Sequence, residues 1–217
     1  EMVLFKMSNK ISISTARFAN VAFSDGSLLH SFNQRIQKRQ PIVAPTDVKR
    51  YFLTPKESGE LCLISCMYGK NGEIFFPKLN EKLHLISFAD IAIKYLNVLG
   101  YEPFFCQSEE QARESVDILA EEKKWPCFFT KSDTTGEKDF EEFYTDNEVL
   151  DFERFNNFGI ITKSQEFSEI DIEFFFSSIS ELKKKRRWNK KHLVDLFIKI
   201  IPNFKYSDKG KYLDSKM

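Results

Sequence analysis

Three places in the sequence carry groups that suit the binding of an anion such as a phosphate. Asn20 puts an amide at the expected carboxyl end of a β-branched segment, where α/β folds hold their ligands. Gly26 and Ser27 form a turn into a predicted helix, and a helix N-terminus offers N–H groups to an anion. Arg50 adds a guanidinium, which suits a phosphate or the edge of a base. Each also has a purely structural explanation: Asn20 caps its own turn, Ser27 caps its helix, and Arg50 is a surface arginine.

Alternating strands and helices are predicted to position these residues. Period-two patterns predict extended segments, and apolar spacings of three and four residues predict helices. The extended segments are 11–18, 49–53, 73–79, 101–106 and 128–131, and the helices are 1–9, 27–39, 54–68, 87–99, 108–124 and one on either side of 183–191. A capping box, Thr54-Pro55-Lys56-Glu57, opens the third helix. The predicted fold class is α/β, with a two-helix tail.

Composition indicates an ordinary globular chain of 217 residues, with 42% hydrophobic and 29% charged residues. The 32 basic and 32 acidic residues give a formal net charge of zero, which argues against a general binder of polyanions. No segment approaches the ~18 apolar residues of a membrane helix. Cys62, Cys66, Cys106 and Cys127 lie among apolar neighbours, which predicts buried thiols in a reducing cytoplasm. The absence of CxxC and of clustered histidines argues against a zinc site.

Four separated segments, in order, resemble one family. Arg17-Phe18-Ala19-Asn20-Val21 is similar to an Arg-[Phe/Tyr]-x-Asn-Val segment, and Arg50-Tyr51-Phe52-Leu53-Thr54 to Arg-Phe-Trp-Ile-Thr. Gly72-Glu73-Ile74-Phe75-Phe76-Pro77-Lys78-Leu79 is similar to Gly-Glu-Ile-Phe-Val-Pro-Lys-Ile, and Thr135-Gly136-Glu137-Lys138 to the end of Arg-Pro-Gly-Glu-Lys. The family with these segments is the bacterial nucleotide-sugar 4,6-dehydratases of polysaccharide biosynthesis, of the UDP-N-acetylglucosamine 4,6-dehydratase kind. They are extended short-chain dehydrogenases/reductases.

The resemblance implies the C-terminal portion of an extended Rossmann-type short-chain dehydrogenase/reductase with a helical C-terminal extension. Residues 1–165 would hold the C-terminal strands of the Rossmann sheet plus the sugar-nucleotide-binding α/β domain, and 166–217 the extension. The Gly-rich dinucleotide turn and the catalytic Tyr-x-x-x-Lys would precede residue 1. No GxxGxxG occurs, and no Tyr-x-x-x-Lys lies in the expected strand-then-helix context. We therefore expect a piece of a longer protein, without catalytic residues and inactive by itself.

The function implied is the substrate-binding half of an NAD(P)-dependent nucleotide-sugar 4,6-dehydratase in bacterial surface-polysaccharide or nonulosonic-acid biosynthesis. In such an enzyme hydride leaves sugar C4, water is lost across C5 and C6, and hydride returns to C6. The implied substrate contacts are Asn20, Gly26, Ser27, Arg50, Glu137 and Lys138, and the residues beside the nicotinamide are Phe18 and Ala19. Phe18 suits a core position equally well. The family's arginine at the start of this loop is replaced by Thr134 or is missing altogether, which leaves both UDP- and GDP-linked N-acetylglucosamine open. NAD or NADP would be bound mainly by the missing half, and the intact enzyme is expected to be a homo-oligomer.

Other functions remain open from the sequence. A non-catalytic sugar-nucleotide-binding or scaffold module fits the absence of the catalytic motifs, and a related nucleotide-sugar epimerase is a further alternative. The segment 183–191 has seven cations in nine residues, which suits a nucleic acid or a membrane surface. Its place between two amphipathic helices and the neutral chain favour a solvated junction instead. We therefore expect no nucleic-acid partner and no metal.

Overall fold

The computed structural model describes residues 1–78, 85–133, 135, 142–163 and 168–201, with 204, 206, 208 and 210 beyond them. The chain forms two compact units. The first unit comprises Glu1–Arg17, Cys62–Pro77 and Tyr144–Asp208, and the second contains Phe18–Leu61 and Lys78–Phe143. The division predicted between residues 165 and 166 remains a prediction.

The helices and strands follow this order along the chain. Up to residue 78 they are α1 (Met2–Phe5), β1 (Thr15–Ala16), β2 (Asn20–Val21), α2 (Leu28–Gln37), β3 (Ile42–Pro45), β4 (Lys49–Arg50), β5 (Phe52–Leu53), α3 (Pro55–Tyr68) and β6 (Ile74–Pro77). From residue 85 they are β7 (Ile86–Ser87), α4 (Phe88–Val98), β8 (Glu102–Phe105), α5 (Glu109–Glu114), α6 (Val116–Glu121) and β9 (Lys124–Thr130). From residue 142 they are β10 (Val149–Asp151), β11 (Phe158–Lys163), α7 (Glu169–Lys185) and α8 (Lys190–Ile200). None of the described helices is both long and apolar enough to cross a bilayer.

The first unit is built on a mixed four-stranded sheet of order β1-β6-β11-β10. β1 runs parallel to β6, and β11 runs antiparallel to both β6 and β10. Every residue of β6 is buried, as are Ile160 and Ile161 of β11. Helices α7 and α8 pack against each other, with the ring centroids of Phe175 and Phe197 5.4 Å apart. The apolar run of β6 therefore marks a strand that is covered on both faces.

The second unit contains a parallel three-stranded sheet of order β3-β9-β8. β9 is the central strand and pairs with both neighbours. Phe32 of α2 and Leu96 of α4 are buried in the same core as Trp125 of β9. The Trp125 indole N–H donates to the carbonyl of Gln40 at 3.1 Å, so this large side chain is buried with its polar group satisfied. Two short pairs, β2 with β5 and β4 with β7, belong to the same unit.

Local capping residues explain where the helices begin. Ser27 and Ser87 each accept a hydrogen bond from the main-chain N–H three residues later. Thr54 and Glu57 form a reciprocal capping box: the Thr54 N–H donates to the Glu57 carboxylate at 2.7 Å, and the Glu57 N–H donates to the Thr54 hydroxyl at 3.2 Å. The predicted starts of α2, α3 and α4 are confirmed, and so is the α/β class.

The strands depart further from the prediction. The segment predicted at 11–18 forms a ladder only over Thr15–Ala16, while β2, β3, β7, β10 and β11 lie where no strand is predicted. Asn20 is therefore the first residue of a short strand and does not stand at the carboxyl end of the first one. β3 is bounded by Pro41 and ends at Pro45, which resemble loop punctuation in the sequence. Proline is tolerated there because β3 is an edge strand. The helix predicted at 108–124 forms as two helices that end at Glu121, and β9 begins at Lys124, earlier than the strand predicted at 128–131.

The cysteines confirm the expectation only in part. Cys106 and Cys127 are buried, but Cys62 and Cys66 on α3 are exposed, so the prediction of buried thiols is wrong for this pair. Leu63 and Met67 on the same helix are exposed as well. Apolar neighbours in the sequence therefore do not mark a buried position on α3, because apolar residues continue onto its exposed face.

Candidate functional site

A pocket of about 480 Å³ lies within the second unit. Its wall consists of the turn from β2 into α2, the carboxyl ends of β3 and β9, parts of β4 and β5, and the first residue of α4. Asn20, Gly26, Ser27 and Arg50 all line it. The structure thus brings together four residues that the sequence analysis singled out in three separate places.

Asn20 is held at the pocket by its main chain. β2 runs parallel to β5, and the Asn20 N–H donates to the carbonyl of Tyr51 at 3.2 Å. The half-buried side-chain amide has no hydrogen-bond partner within the part of the chain that the structure describes. An amide carries two donor hydrogens and an acceptor oxygen, so this one can bind a polar ligand without losing a contact inside the protein.

The turn before α2 has the geometry of a helix cap. Gly26 has a φ of +72°, a left-handed conformation that glycine adopts without strain. The Ser27 hydroxyl accepts from the His30 N–H at 3.2 Å, so this side chain caps the helix. The main-chain N–H groups of the first helical turn have no partner inside a helix. The turn therefore offers a ligand the N–H groups that Ser27 does not cap and the positive end of the helix dipole.

Arg50 is fixed against an aromatic wall. Its Nη1 donates to the carbonyl of Lys49 at 2.8 Å, and its Cζ lies 6.0 Å from the ring centroid of Phe88. Phe88 is 7% exposed and makes an edge contact with Phe52, with the two ring centroids 6.0 Å apart. The ring face attracts the guanidinium and limits where its donors point.

Sequence reasoning missed two lining residues of α2, Ser31 and Arg35. They follow Ser27 at intervals of four and therefore lie on the same helix face, and this spacing is the signal that could have found them. The Arg35 Nη1 donates to the carbonyl of Pro41 at 3.4 Å. Burial lowers the pKa of Arg35, and the charge of Arg113 lowers it further, but a guanidinium stays protonated at neutral pH.

Lys131 is a further cation that sequence reasoning missed. The main chain on either side of it is fixed: the Thr46 N–H donates to the carbonyl of Thr130 at 2.9 Å, and the Ser132 N–H donates to an Asp47 carboxylate oxygen at 2.8 Å. Lys131 is exposed and forms no ion pair with any residue that the structure describes. Its place just after the carboxyl end of β9 is the signal that could have found it.

The remaining residues implied by the resemblance lie elsewhere. Phe18 is 42% exposed and Ala19 is 5% exposed, and neither lines the pocket. Glu137 and Lys138 lie outside the described residues.

The pocket combines cations, main-chain N–H groups and an aromatic wall, with Asp25 and Asp133 as its acidic residues. Among the side chains that often carry acid–base or nucleophilic chemistry, its described lining contains aspartate, serine and lysine. It contains no histidine, cysteine, tyrosine or glutamate. Within the described ranges, no three histidine, cysteine, aspartate or glutamate side chains are grouped so that they could hold a metal ion. The arrangement suits binding of a ligand that has an anionic group and an apolar face.

Comparison with known proteins gives a family match. A family model described as polysaccharide biosynthesis protein matches residues 1–158. The chain is 27% identical over 163 residues to an uncharacterized membrane protein of Methanocaldococcus jannaschii. This match covers 73% of this chain and 42% of that protein. It is 24% identical over 147 residues to the probable polysaccharide biosynthesis protein EpsC of Bacillus subtilis, and 25% identical over 148 residues to the capsular polysaccharide biosynthesis protein CapD of Staphylococcus aureus. These two matches each cover 66% of this chain and 23% of the relative, so the chain spans less than half the length of these relatives.

The fold is similar to that of a solved protein. The X-ray structure of Pen from Bacillus thuringiensis superimposes with a TM-score of 0.51 at 20% sequence identity. The superposition covers 73% of this chain and 44% of Pen. At this identity the likeness concerns the fold alone.

Proposed function

Because the chain belongs to the polysaccharide biosynthesis protein family, we propose that it is the substrate-binding half of an NAD(P)-dependent nucleotide-sugar 4,6-dehydratase. The proposed substrate is a UDP- or GDP-linked N-acetylglucosamine, and the proposed role is in bacterial surface-polysaccharide or nonulosonic-acid biosynthesis. The observation that carries the proposal is the convergence of Asn20, the Gly26–Ser27 turn and Arg50 on one pocket. The intact enzyme is proposed to be a homo-oligomer of an extended Rossmann-type fold.

The chemistry of a nucleotide sugar fits what lines the pocket. A diphosphate needs cations and N–H donors, which Arg50, Lys131 and the first turn of α2 supply. Phe52 and Phe88 give an apolar surface on which the face of a base or a sugar ring packs. A volume of about 480 Å³ falls within the range of about 300–1,000 Å³ that small-molecule pockets have.

The proposed cofactor is NAD or NADP, held mainly by a part of the enzyme outside this chain. Phe18 is exposed enough to contact a nicotinamide ring, whereas Ala19 is buried, so of the two only Phe18 fits that contact through its side chain. The chemistry that NAD or NADP would supply there is the transfer of hydride from the sugar and back to it. The chain's own contribution is to hold the nucleotide, so that the sugar is presented in a fixed orientation.

Isothermal titration calorimetry of the chain tests this proposal. UDP-N-acetylglucosamine or its GDP analogue should bind one site more tightly than about 1 mM, about −4 kcal/mol, and the matching nucleoside diphosphate should compete. NAD and NADP should not reach that affinity, because the described residues contain no Gly-rich phosphate turn. Binding of NAD or NADP more tightly than about 1 mM, or binding of neither nucleotide sugar, would overturn the proposal.

Introduction of a negative charge at the pocket tests the site, and the same change elsewhere on α2 gives the matched control. Asn20→Asp keeps the side-chain size and places a carboxylate beside the proposed diphosphate, so affinity should fall at least tenfold, about 1.4 kcal/mol. Asn33→Asp makes the same change at an exposed position of α2 that does not line the pocket and should leave affinity within about twofold.

Sequencing the natural open reading frame separates the enzyme from a non-catalytic module: the enzyme requires a Gly-rich turn and a Tyr-x-x-x-Lys upstream.

A further inference from the structure

The junction between α7 and α8 carries the strongest concentration of charge in the sequence. We call Lys183–Lys191 the basic junction: it has seven cations and no acidic residue. Residues 183–189 and 191 are exposed. The rest of the chain must carry the compensating negative charge, since the formal net charge of the whole is zero.

Ion pairing within the protein neutralises little of this charge. Lys185 pairs with Glu181 at 3.3 Å, and Lys190 pairs with Asp208 at 2.6 Å. Across the part of the chain that the structure describes, the other five cations form no ion pair; they are Lys183, Lys184, Arg186, Arg187 and Lys191. An exposed site with five uncompensated cations attracts an external anionic partner.

Helix electrostatics explain only part of the cluster. Lys183, Lys184 and Lys185 occupy the last turn of α7, where cations stabilise the negative end of the helix dipole. Lys190 and Lys191 occupy the first turn of α8, which has no acidic residue, and cations there oppose the dipole. Because these two lysines lower the stability of α8, their presence indicates that they bind a partner outside the protein.

An exposed tryptophan sits in the middle of these cations. Arg186 ends α7 in a left-handed conformation with a φ of 50°, and Asn189 caps α8. Between them Trp188 is 56% exposed. The junction is therefore a short turn at the end of two packed helices, with one large amphipathic ring among cations.

We propose that the basic junction docks on the surface of a bilayer containing anionic lipid, with Trp188 entering the headgroup region. Lysine and arginine clusters are attracted to anionic leaflets, and tryptophan prefers the membrane–water interface. Single-stranded nucleic acids are bound by grooves that offer successive stacking rings, whereas the junction offers one ring on a turn. The geometry thus favours a lipid surface over a nucleic acid, and the docking is peripheral.

Co-sedimentation of the full chain with vesicles tests the proposal. The chain should pellet with vesicles of phosphatidylcholine and phosphatidylglycerol and stay in solution with phosphatidylcholine alone, and added salt should release it. Lys184→Gln/Arg187→Gln/Lys191→Gln removes three of the uncompensated cations and should weaken binding about 100-fold, at about fivefold per cation. Lys10→Gln/Lys38→Gln/Lys94→Gln makes the same change in total charge at dispersed exposed positions and should bind like the wild type.

Tryptophan fluorescence gives an independent readout. The sequence has two tryptophans, and Trp125 is 2% exposed in the core of the second unit, so a vesicle-induced blue shift reports Trp188. Trp188→Phe should abolish the shift while most of the sedimentation remains.

Equal binding to both kinds of vesicle, wild-type binding by the first triple variant, or no blue shift would each overturn the proposal. Tighter binding to single-stranded polyuridylate than to the anionic vesicles at equal salt would overturn it in favour of a nucleic acid.

Discussion

Arg17 and Glu148, 131 positions apart in the sequence, form a two-pronged ion pair. The Arg17 Nη2 lies 2.7 Å from the Glu148 Oε1, and the Nη1 lies 3.0 Å from the Oε2. The same guanidinium binds both carboxylate oxygens of Glu1 at 2.7 and 2.6 Å. The Glu148 side chain is 4% exposed. Arg17 directly follows β1, and Glu148 directly precedes β10, so the ion pair links these two strands of the first unit. Arg17 is also the first residue of one of the segments that resemble the family.

This relationship predicts a stability that depends on pH. Burial alone would raise the pKa of Glu148, but hydrogen bonds from Arg17 and Thr145, together with the charge of Arg17, outweigh it, and the net pKa lies below its ordinary value. The contribution of Glu148 is then fully present above its unfolded pKa of about 4.3 and is lost as pH falls through the lower folded value. Glu148→Gln should cost about 1–3 kcal/mol in urea unfolding at neutral pH, and the gap to wild type should close on acidification.

The matched control for this prediction is an exposed glutamate. The Glu60 Oε1 lies 3.7 Å from the Lys56 Nζ across one helical turn, and both side chains are exposed. Glu60→Gln should change the free energy of unfolding by less than about 0.5 kcal/mol. A gap between Glu148→Gln and wild type that stays constant from neutral to acidic pH would contradict the assignment.

At the pocket, Arg50 and Phe88 should act on ligand binding together. Arg50→Ala removes a charge-assisted contact and should weaken UDP- or GDP-N-acetylglucosamine binding by about 1.5–3 kcal/mol, roughly 10- to 150-fold. Arg50→Lys should recover only part of that, since an ammonium lacks the planar fork. Phe88→Leu should weaken binding in the wild type but add little in the Arg50→Ala background, as calorimetry of the four variants measures. Equal losses in both backgrounds would mean that Phe88 acts without Arg50.

Thiol reactivity should divide the cysteines into two pairs. Burial, together with the neighbouring Cys106, raises the pKa of the Cys127 thiol to about 12, so little thiolate forms at neutral pH. Ellman's reagent should modify the exposed Cys62 and Cys66 quickly in the folded chain and the other pair only on unfolding. A Cys62→Ser/Cys66→Ser variant should lose the fast phase entirely; a fast phase that persists in it would contradict the burial of Cys106 and Cys127.

Two glycines should respond to alanine with opposite signs. A Cβ on Gly159 of β11 would overlap the ring of Phe76 on β6, so Gly159→Ala should destabilise the chain by about 1–3 kcal/mol. A Cβ on Gly59 of α3 meets nothing, so Gly59→Ala should stabilise it by about 0.5–1 kcal/mol. Urea unfolding measures both free energies; a Gly159→Ala variant as stable as the wild type or more stable would show that the β6–β11 contact is looser than described.

Features of the fold that depend on neighbouring residues can be predicted from the sequence, whereas those that depend on distant partners cannot. The starts of α2 and α4 depend on a serine and the N–H three residues later, which lie within one window of sequence. β3 depends on hydrogen bonds to β9, where Ile42 pairs with Cys127, and no local pattern records that partner. In the pocket, Asn20 and Arg50 stand in segments that resemble a family, whereas Lys131 stands outside those segments and is marked only by its place after the end of a strand.

The order of strands in the two sheets has a consequence for synthesis on the ribosome. β9 is made after β3 and β8, yet it lies between them, so neither neighbour has a ladder partner in this sheet until β9 has emerged. The sheet of the first unit waits longer still, because β10 and β11 follow Phe143. Domains generally fold as units during translation, and pairings between distant segments form slowly. The β3-β9-β8 sheet can therefore be complete once Thr130 has emerged from the ribosome, whereas the β1-β6-β11-β10 sheet, whose β1 is made before any of these strands, has to wait for Lys163.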